Sequence, residues 1–203
     1  MKFYEISTLS TVIFGAAAAT KGIEDWVAQG AGTLFGAWFS DIGSLNEVYL
    51  LRGYDSADDM LGERERLARS DNPFGCLEQL VNYRIDSYRP LDFMGPIETG
   101  AHGPVYELRS YRMKLNGLMP TMEKWAAALP KRTAYSTCSI AMYGLDGSPR
   151  LTQVWPYASL AERSKARGQS ISDGNWPPQG GPDWLTPEMT STIALPLGFS
   201  PLK

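Results

Sequence analysis

Histidine and cysteine are scarce in this sequence. Among 203 residues there is one histidine, His102, and there are two cysteines, Cys76 and Cys138. A metal site of two histidines and a carboxylate is therefore excluded within one chain, and axial ligation of haem would depend on His102 alone. His102 stands in a Gly- and Pro-rich segment, where an exposed histidine without a ligand role is the favoured interpretation. The cysteines lack the spacing of metal ligands. We therefore expect no metal, no other cofactor, and two free thiols of a cytoplasmic protein.

An excess of positive charge and long apolar runs are also missing. The 19 Lys and Arg residues are outnumbered by 22 Asp and Glu residues, which gives a formal net charge of −3. Since proteins that bind nucleic acids usually present a basic face, no nucleic-acid partner is expected. No stretch reaches the ~18 apolar residues that predict a transmembrane helix. A glycine-rich phosphate-binding loop and a Gly-x-Ser-x-Gly nucleophile elbow are absent as well.

What the chain does contain is an internal repeat. Tyr4-Glu5-Ile6 returns 102 residues later as Tyr106-Glu107-Leu108, and Tyr54-Asp55-Ser56 returns 103 residues later as Tyr157-Ala158-Ser159. Two landmarks that recur in order at nearly one offset indicate a duplicated unit. We assign residues 1–94 to a first domain, residues 95–103 to a linker, and residues 104–203 to a second domain.

Each half has the pattern strand, helix, strand, strand, helix, strand. Apolar and alternating runs predict strands at 2–8, 34–42, 47–52 and 81–88, and again at 105–113, 134–143, 150–155 and 189–195. Helical spacing predicts helices at 15–29 and 118–129, and Ser56 and Ser159 are candidate N-caps of a second helix in each half. Residues 173–187, rich in Gly, Pro and Trp, are predicted to form a loop.

This order of elements is that of the ferredoxin-like βαββαβ motif, an antiparallel sheet with both helices on one face. The other face would stay bare, although the strands carry Trp, Tyr and Phe. Two units in tandem solve this problem by placing their bare faces together. The sequence therefore predicts an α+β protein in which two ferredoxin-like domains pack as a pseudo-dimeric α+β barrel.

Two segments of the second half resemble those of NIPSNAP domains. They are Tyr106-Glu107-Leu108-Arg109-Ser110-Tyr111-Arg112-Met113-Lys114, and Trp155-Pro156-Tyr157-Ala158-Ser159-Leu160-Ala161-Glu162-Arg163 with Arg167 after it. In the first half, Arg52-Gly53-Tyr54-Asp55-Ser56 replaces the Trp-Pro-Tyr-Ala-Ser form. The resemblance implies the dimeric α+β barrel superfamily, whose members include small monooxygenases, haem-degrading enzymes, isomerases and proteins with no known reaction.

Polar residues of the strand predicted at 105–113 are candidates for chemistry. Strand alternation places Glu107, Arg109 and Tyr111 on one face and Tyr106 on the other. Because Tyr106 suits a helix-packed side, we expect the other three to point into the barrel. Aromatic walls would then raise the pKa of Glu107 and make it a general base, while Arg109 binds a carboxylate or stabilises an enolate. The alternative is a Glu107–Arg109 ion pair that only fixes the strand register or a contact between the domains.

The first half offers a similar but incomplete set. The same alternation turns Phe3, Glu5 and Ser7 inward. A buried carboxylate needs a partner, so we expect Glu5 to pair with Arg84 or with a group from the second half.

Aromatic residues either line a ligand chamber or fill the core. Trp38, Tyr143 and Trp155 lie on predicted strands, where both roles are open. The loop 174–187 carries two tryptophans and is expected to form a lid or a subunit interface, with packing over the sheet edge as the alternative.

Two functions are compatible with these residues. One is a small-molecule-binding barrel, which could be a cofactor-independent enzyme that uses Glu107 and Arg109 on an apolar substrate with a polar head. The other is a non-enzymatic interaction or assembly protein whose barrel is filled. A homo-oligomer is expected in either case, because sheet edges and exposed aromatic side chains favour self-association.

Overall fold

The computed structural model describes the whole chain, residues 1–203. The first half contains β1 (Phe3–Thr11), α1 (Gly15–Ala28), β2 (Thr33–Ile42), β3 (Glu47–Tyr54), α2 (Ala57–Ala68), a 3₁₀ turn at Pro73–Gly75, and β4 (Leu80–Pro90). The second half contains β5 (Val105–Met113), α3 (Leu118–Arg132), β6 (Ile140–Gly144), β7 (Arg150–Tyr157), α4 (Leu160–Ser172), the short α5 (Gly181–Trp184), and β8 (Leu185–Pro196). None of the helices combines the length and the apolarity that a bilayer crossing requires.

The second helix of each half begins at the predicted cap. The hydroxyl of Ser56 accepts a hydrogen bond from the Asp59 amide at 3.1 Å, and the hydroxyl of Ser159 accepts one from the Glu162 amide at 3.1 Å. Each cap satisfies one amide that has no partner inside the helix. The same local chemistry therefore starts α2 and α4 at equivalent positions of the repeat.

All eight strands join in one closed antiparallel barrel, in the order β1-β3-β2-β8-β5-β7-β6-β4. The first half contributes the order β4-β1-β3-β2 and the second half the matching order β8-β5-β7-β6. The halves meet at two seams, β2 with β8 and β4 with β6. The predicted α+β architecture, two ferredoxin-like units closed into one barrel, is confirmed.

Apolar side chains form three separate clusters. The cluster inside the barrel holds 15 buried residues from both halves, and in it the rings of Trp38 and Tyr106 lie 5.2 Å apart. The other two clusters lie on the outer faces, under α1 in the first half and under α3 in the second. The bare sheet faces therefore do cover each other, as predicted.

Two predicted boundaries in the second half are wrong. The strand predicted from residue 134 begins at Ile140, because α3 continues past Pro130 to Arg132, which is fully buried. The guanidinium of Arg132 stacks on Trp155 at 4.6 Å, and this contact holds the last turn of α3 against the sheet. The region predicted as loop at 173–187 contains α5 and the first residues of β8.

Candidate ligand-binding site

The polar residues of β5 face the helices and not the barrel interior. Tyr106 belongs to the cluster inside the barrel, whereas Glu107 accepts a hydrogen bond from Arg163 of α4, which covers the outer face. The predicted inward orientation of Glu107, Arg109 and Tyr111 is therefore wrong. A closed barrel buries both faces of its sheet, so its large apolar side chains fill the interior and do not mark the helix-packed side.

The first half shows the same reversal. Glu5 is fully buried between the sheet and α2. Its carboxylate accepts hydrogen bonds from Nε of Arg64 at 2.6 Å and from the hydroxyl of Tyr54 at 3.0 Å. The inward orientation predicted for Phe3, Glu5 and Ser7 is thus also wrong.

Glu107 lies at the centre of a basic cluster. Its Oε1 accepts hydrogen bonds from Arg109, from Arg163 at 2.5 Å and from the hydroxyl of Ser191 at 2.6 Å. The Nη1 of Arg167 lies 4.0 Å from Oε2, which is buried and accepts no hydrogen bond. Three guanidinium charges thus surround one carboxylate charge and leave an excess of two positive charges.

This cluster keeps Glu107 ionised. Burial acts to raise its pKa, but hydrogen bonds from Arg163 and Ser191 and the charges of Arg109 and Arg163 outweigh burial and lower the pKa to about 2. The expected rise in the pKa of Glu107 is therefore wrong in direction. An ionised carboxylate with so low a pKa is a weak base at neutral pH, so its strongest effect is to hold the arginines in place.

Beside the basic cluster lies a large cavity. It has a volume of about 1050 Å³ and is bounded by α3, α4, the strands β5 and β8, and residues 174–187. We call it the second-half cavity. Its apolar lining residues are Trp125, Ile171, Trp176, Trp184, Leu185 and Met189. The volume and the mainly apolar lining are typical of a site for a small organic molecule.

The walls of the second-half cavity hold two cations and no carboxylate. The cations are Lys114 and Arg167, and Tyr111 also lines the cavity. Tyr111 accepts a hydrogen bond from Nε of Arg109 at 2.5 Å, and Arg167 approaches Glu107. These two contacts make the basic cluster the polar end of an otherwise apolar cavity.

The remaining predicted site residues do not meet in one chamber. Trp38 packs inside the barrel, whereas Tyr143 and Trp155 belong to the outer cluster of the second half. Arg84 lies in a polar mouth of the barrel, of about 520 Å³, and pairs with Asp86 at 2.9 Å. The expected pairing of Glu5 with Arg84 is therefore wrong, and so is the alternative of a partner from the second half, because Glu5 pairs with Arg52 and Arg64 of the first half.

The two tryptophans of the predicted loop are buried. Trp176 and Trp184 are each 6% exposed, and the ring of Trp176 lies 4.9 Å from that of Trp125. In the linker, Nε2 of His102 hydrogen-bonds to the carbonyl of Glu98 at 2.8 Å. The loop thus forms a wall of the second-half cavity, and His102 lies outside it.

Sequence reasoning missed Arg163, Arg167 and Ser191 as partners of Glu107. The sequence of α4 did contain an indication of these contacts, because Arg163 and Arg167 stand four residues apart. Like charges at this spacing destabilise an isolated helix, so they indicate a carboxylate on the surface beneath. Glu107 is that carboxylate.

Whole-chain comparisons define the fold class. A candidate monooxygenase from Lactobacillus acidophilus superposes with a TM-score of 0.68 at 11% identity, over 97% of this chain and 94% of its own. A candidate monooxygenase from Fusobacterium nucleatum gives 0.67 at 11% identity, over 96% and 92%. At such identities the likeness shows the fold alone, a two-unit α+β barrel.

The family follows from a second comparison. The NIPSNAP family model matches residues 2–94 and again residues 106–201, so the chain belongs to the NIPSNAP family as a tandem pair. A NIPSNAP domain protein from Burkholderia xenovorans, 23% identical, covers 46% of this chain and 98% of its own, with a TM-score of 0.39. No curated protein matches the sequence.

Proposed function

We propose that the second half of the chain binds a small, mainly apolar molecule with a polar head in the second-half cavity. The observation that carries this proposal is the junction of that cavity with the basic cluster around Glu107, through Arg167 and Tyr111. The apolar body would contact the tryptophans, and the head would lie against the cluster. The proposed site therefore lies on the outer face of the second half of the barrel, and not inside the barrel as expected from the sequence.

The arginines of the cluster would carry any chemistry at this site. Ionised Glu107 fixes Arg109 and Arg163, and Arg167, the arginine of the cluster that lines the cavity, would stabilise negative charge on a bound substrate. Glu107 itself would act as a positioning residue and not as the proton acceptor, because its pKa is lowered to about 2.

The first half is not proposed as a second site. There, the 3₁₀ turn packs directly on α1, and a Cβ added to Gly22 would lie 2.0 Å from the carbonyl oxygen of Gly75. At the repeat offset of 103 residues, the 3₁₀ turn at Pro73–Gly75 corresponds to residues 176–178, which line the cavity in the second half. One ligand per chain is therefore expected.

Binding of N-phenyl-1-naphthylamine, a neutral probe that fluoresces in apolar sites, tests the proposal. Ile171 lines the second-half cavity and is 53% exposed, so Ile171→Trp should fill space there without disturbing the core. We expect it to weaken probe binding about tenfold, or ~1.4 kcal/mol. Leu61→Trp is the matched control, since Leu61 is also 53% exposed but lies on α2. Equal affinity in the two variants, or no binding to the unmodified protein, would refute the proposal.

Self-association is the second candidate function. Strands β1 and β5 run in the same direction, so the loops that follow them lie at one end of the barrel. That end exposes apolar side chains from both halves, with Phe14 90% and Leu115 93% exposed. A second copy related by a twofold axis would cover both sets at once. Sedimentation of the unmodified protein and of Phe14→Ser tests this, and a monomer in both samples would rule it out.

A further inference from the structure

The charge around the second-half cavity is unbalanced, whereas the matching region of the first half is balanced. In the second half, one carboxylate faces three guanidinium groups. In the first half, the basic residues Arg52, Arg64 and Arg66 pair with Glu5, Glu63 and the second-half residue Asp146. The repeat therefore supplies an internal comparison, in which only the half with the cavity has uncompensated positive charge.

Arg167 is the residue through which this excess reaches the cavity. Its counterpart 103 residues earlier, Arg64, donates to Glu5 at 2.6 Å and to the hydroxyl of Ser87. Arg167 instead remains 4.0 Å from Glu107 and makes no side-chain hydrogen bond. A guanidinium has five N–H donors, so most of the hydrogen-bonding capacity of Arg167 is unused at the cavity wall.

A second donor lies at the same wall. The hydroxyl oxygen of Tyr111 accepts the hydrogen bond from Arg109, which leaves its own proton free to donate. Lys114 adds a second positive group beside Arg167, although its Nζ already donates to the carbonyl of Pro182 at 2.9 Å. Donors and positive charge without any acidic residue in the wall are complementary to an anion.

We propose that the ligand of the second-half cavity is an organic acid, with an anionic head group held by Arg167 and an apolar body among the tryptophans. This inference depends on the proposed function and adds to it the charge of the ligand. A carboxylate or a sulfonate matches the planar donor pair of a guanidinium, so either can act as the head group. A neutral apolar molecule would enter the same cavity but would leave Arg167 without a hydrogen-bond acceptor.

Two probes that differ by one charge separate these cases. 1-Anilinonaphthalene-8-sulfonate has the apolar body of N-phenyl-1-naphthylamine and adds a sulfonate. Arg167→Gln should weaken the sulfonate probe about tenfold, because the charged head group loses its hydrogen bonds to the guanidinium. It should change the neutral probe by less than about twofold. The part of the sulfonate-probe binding that Ile171→Trp abolishes is assigned to the second-half cavity. Only this part is compared between Arg167→Gln and the unmodified protein.

Two controls keep the test specific. Lys165→Gln removes a positive charge from an exposed position of the same helix, where Lys165 pairs with Glu162, and both probes should bind it as they bind the unmodified protein. Arg167→Lys keeps the charge and should retain part of the sulfonate affinity. Raising the salt from about 0.05 M to about 0.5 M should weaken only the sulfonate probe, and this needs no variant.

The possible outcomes distinguish this inference from the proposed function. If Arg167→Gln leaves sulfonate binding unchanged, or weakens both probes equally, the head-group assignment is overturned while the cavity remains a binding site. If the neutral probe does not bind the unmodified protein, the proposed function fails first. A loss confined to the sulfonate probe, reproduced by salt, supports the assignment.

Discussion

At the scale of single residues, one carboxylate organises the second half. Glu107 is fully buried, and its contacts with Arg163 and Ser191 link β5 to α4 and β8. Such a buried charge is tolerated because guanidinium groups compensate it. Removing the charge would leave three arginines facing each other over an uncharged group. The residue thus holds the cluster together, whatever the ligand is.

Glu107→Gln should therefore destabilise the fold and alter its response to acid. The pKa of Glu107 is lowered to about 2 from an ordinary 4.5, so its contribution is fully present above pH 4.5 and is lost as the pH falls towards 2. The shift corresponds to about 3 kcal/mol. Urea unfolding at pH 7 should show a loss of this order for Glu107→Gln, with a smaller further loss between pH 4.5 and pH 2 than in the unmodified protein.

The control for this prediction is Glu65→Gln. Glu65 is 70% exposed and lies 3.6 Å from Arg69, and exposed pairs of this kind contribute ~0–1 kcal/mol. Its substitution should leave both the stability at pH 7 and the acid response nearly unchanged. Identical acid curves for Glu107→Gln and the unmodified protein would show that the basic cluster does not depend on Glu107.

At the scale of elements, the two halves differ in what packs on their first helix. In the first half, α1 touches the 3₁₀ turn through Gly22 and Gly75. In the second half, Trp125 of α3 meets Trp176 instead, and the segment from residue 174 to the start of β8 forms a wall of the second-half cavity. One duplicated framework therefore gives a closed contact in one half and a cavity in the other.

Two glycine-to-alanine substitutions test this contact. Gly22→Ala in α1 places a Cβ 2.0 Å from a backbone carbonyl oxygen, so it should cost ~1–3 kcal/mol of unfolding free energy. Gly62→Ala in α2 meets nothing within 4 Å and should stabilise the protein by ~0.5–1 kcal/mol, because alanine is the better helix former. Thermal unfolding of both variants checks the signs. If both substitutions stabilise, α1 and the 3₁₀ turn are not in contact.

The helices and strands were largely predictable because their signs are local. Ser56 and Ser159 cap the helices that their positions indicate, and the strand predicted at 105–113 is observed as Val105–Met113. The direction in which β5 faces was not predictable from alternation, since both faces of a closed barrel are buried. The second-half cavity was not predictable either, because it depends on the path of residues 174–187. The Gly and Pro residues of this segment have no periodicity from which its path could be predicted.

At the scale of the whole molecule, the barrel interior belongs to both halves. Its 15 buried residues include Trp38 of β2 and Tyr106 of β5, whose rings are in contact. Neither half can bury this surface alone. The two NIPSNAP units, matched at 2–94 and 106–201, should therefore unfold as one cooperative unit and not as two domains in sequence.

Trp38→Ala tests this cooperativity. Removing a fully buried tryptophan should cost ~3–5 kcal/mol. Four of the five tryptophans that remain lie in the second half, so fluorescence in this variant mainly reports the half that was not changed. If the barrel is one unit, the fluorescence transition in urea must shift as far as the circular-dichroism transition. Tyr106→Ala, the reciprocal change, should shift the same single transition. If the fluorescence transition of the second half keeps its original midpoint in Trp38→Ala, each half of the barrel retains its structure without the other.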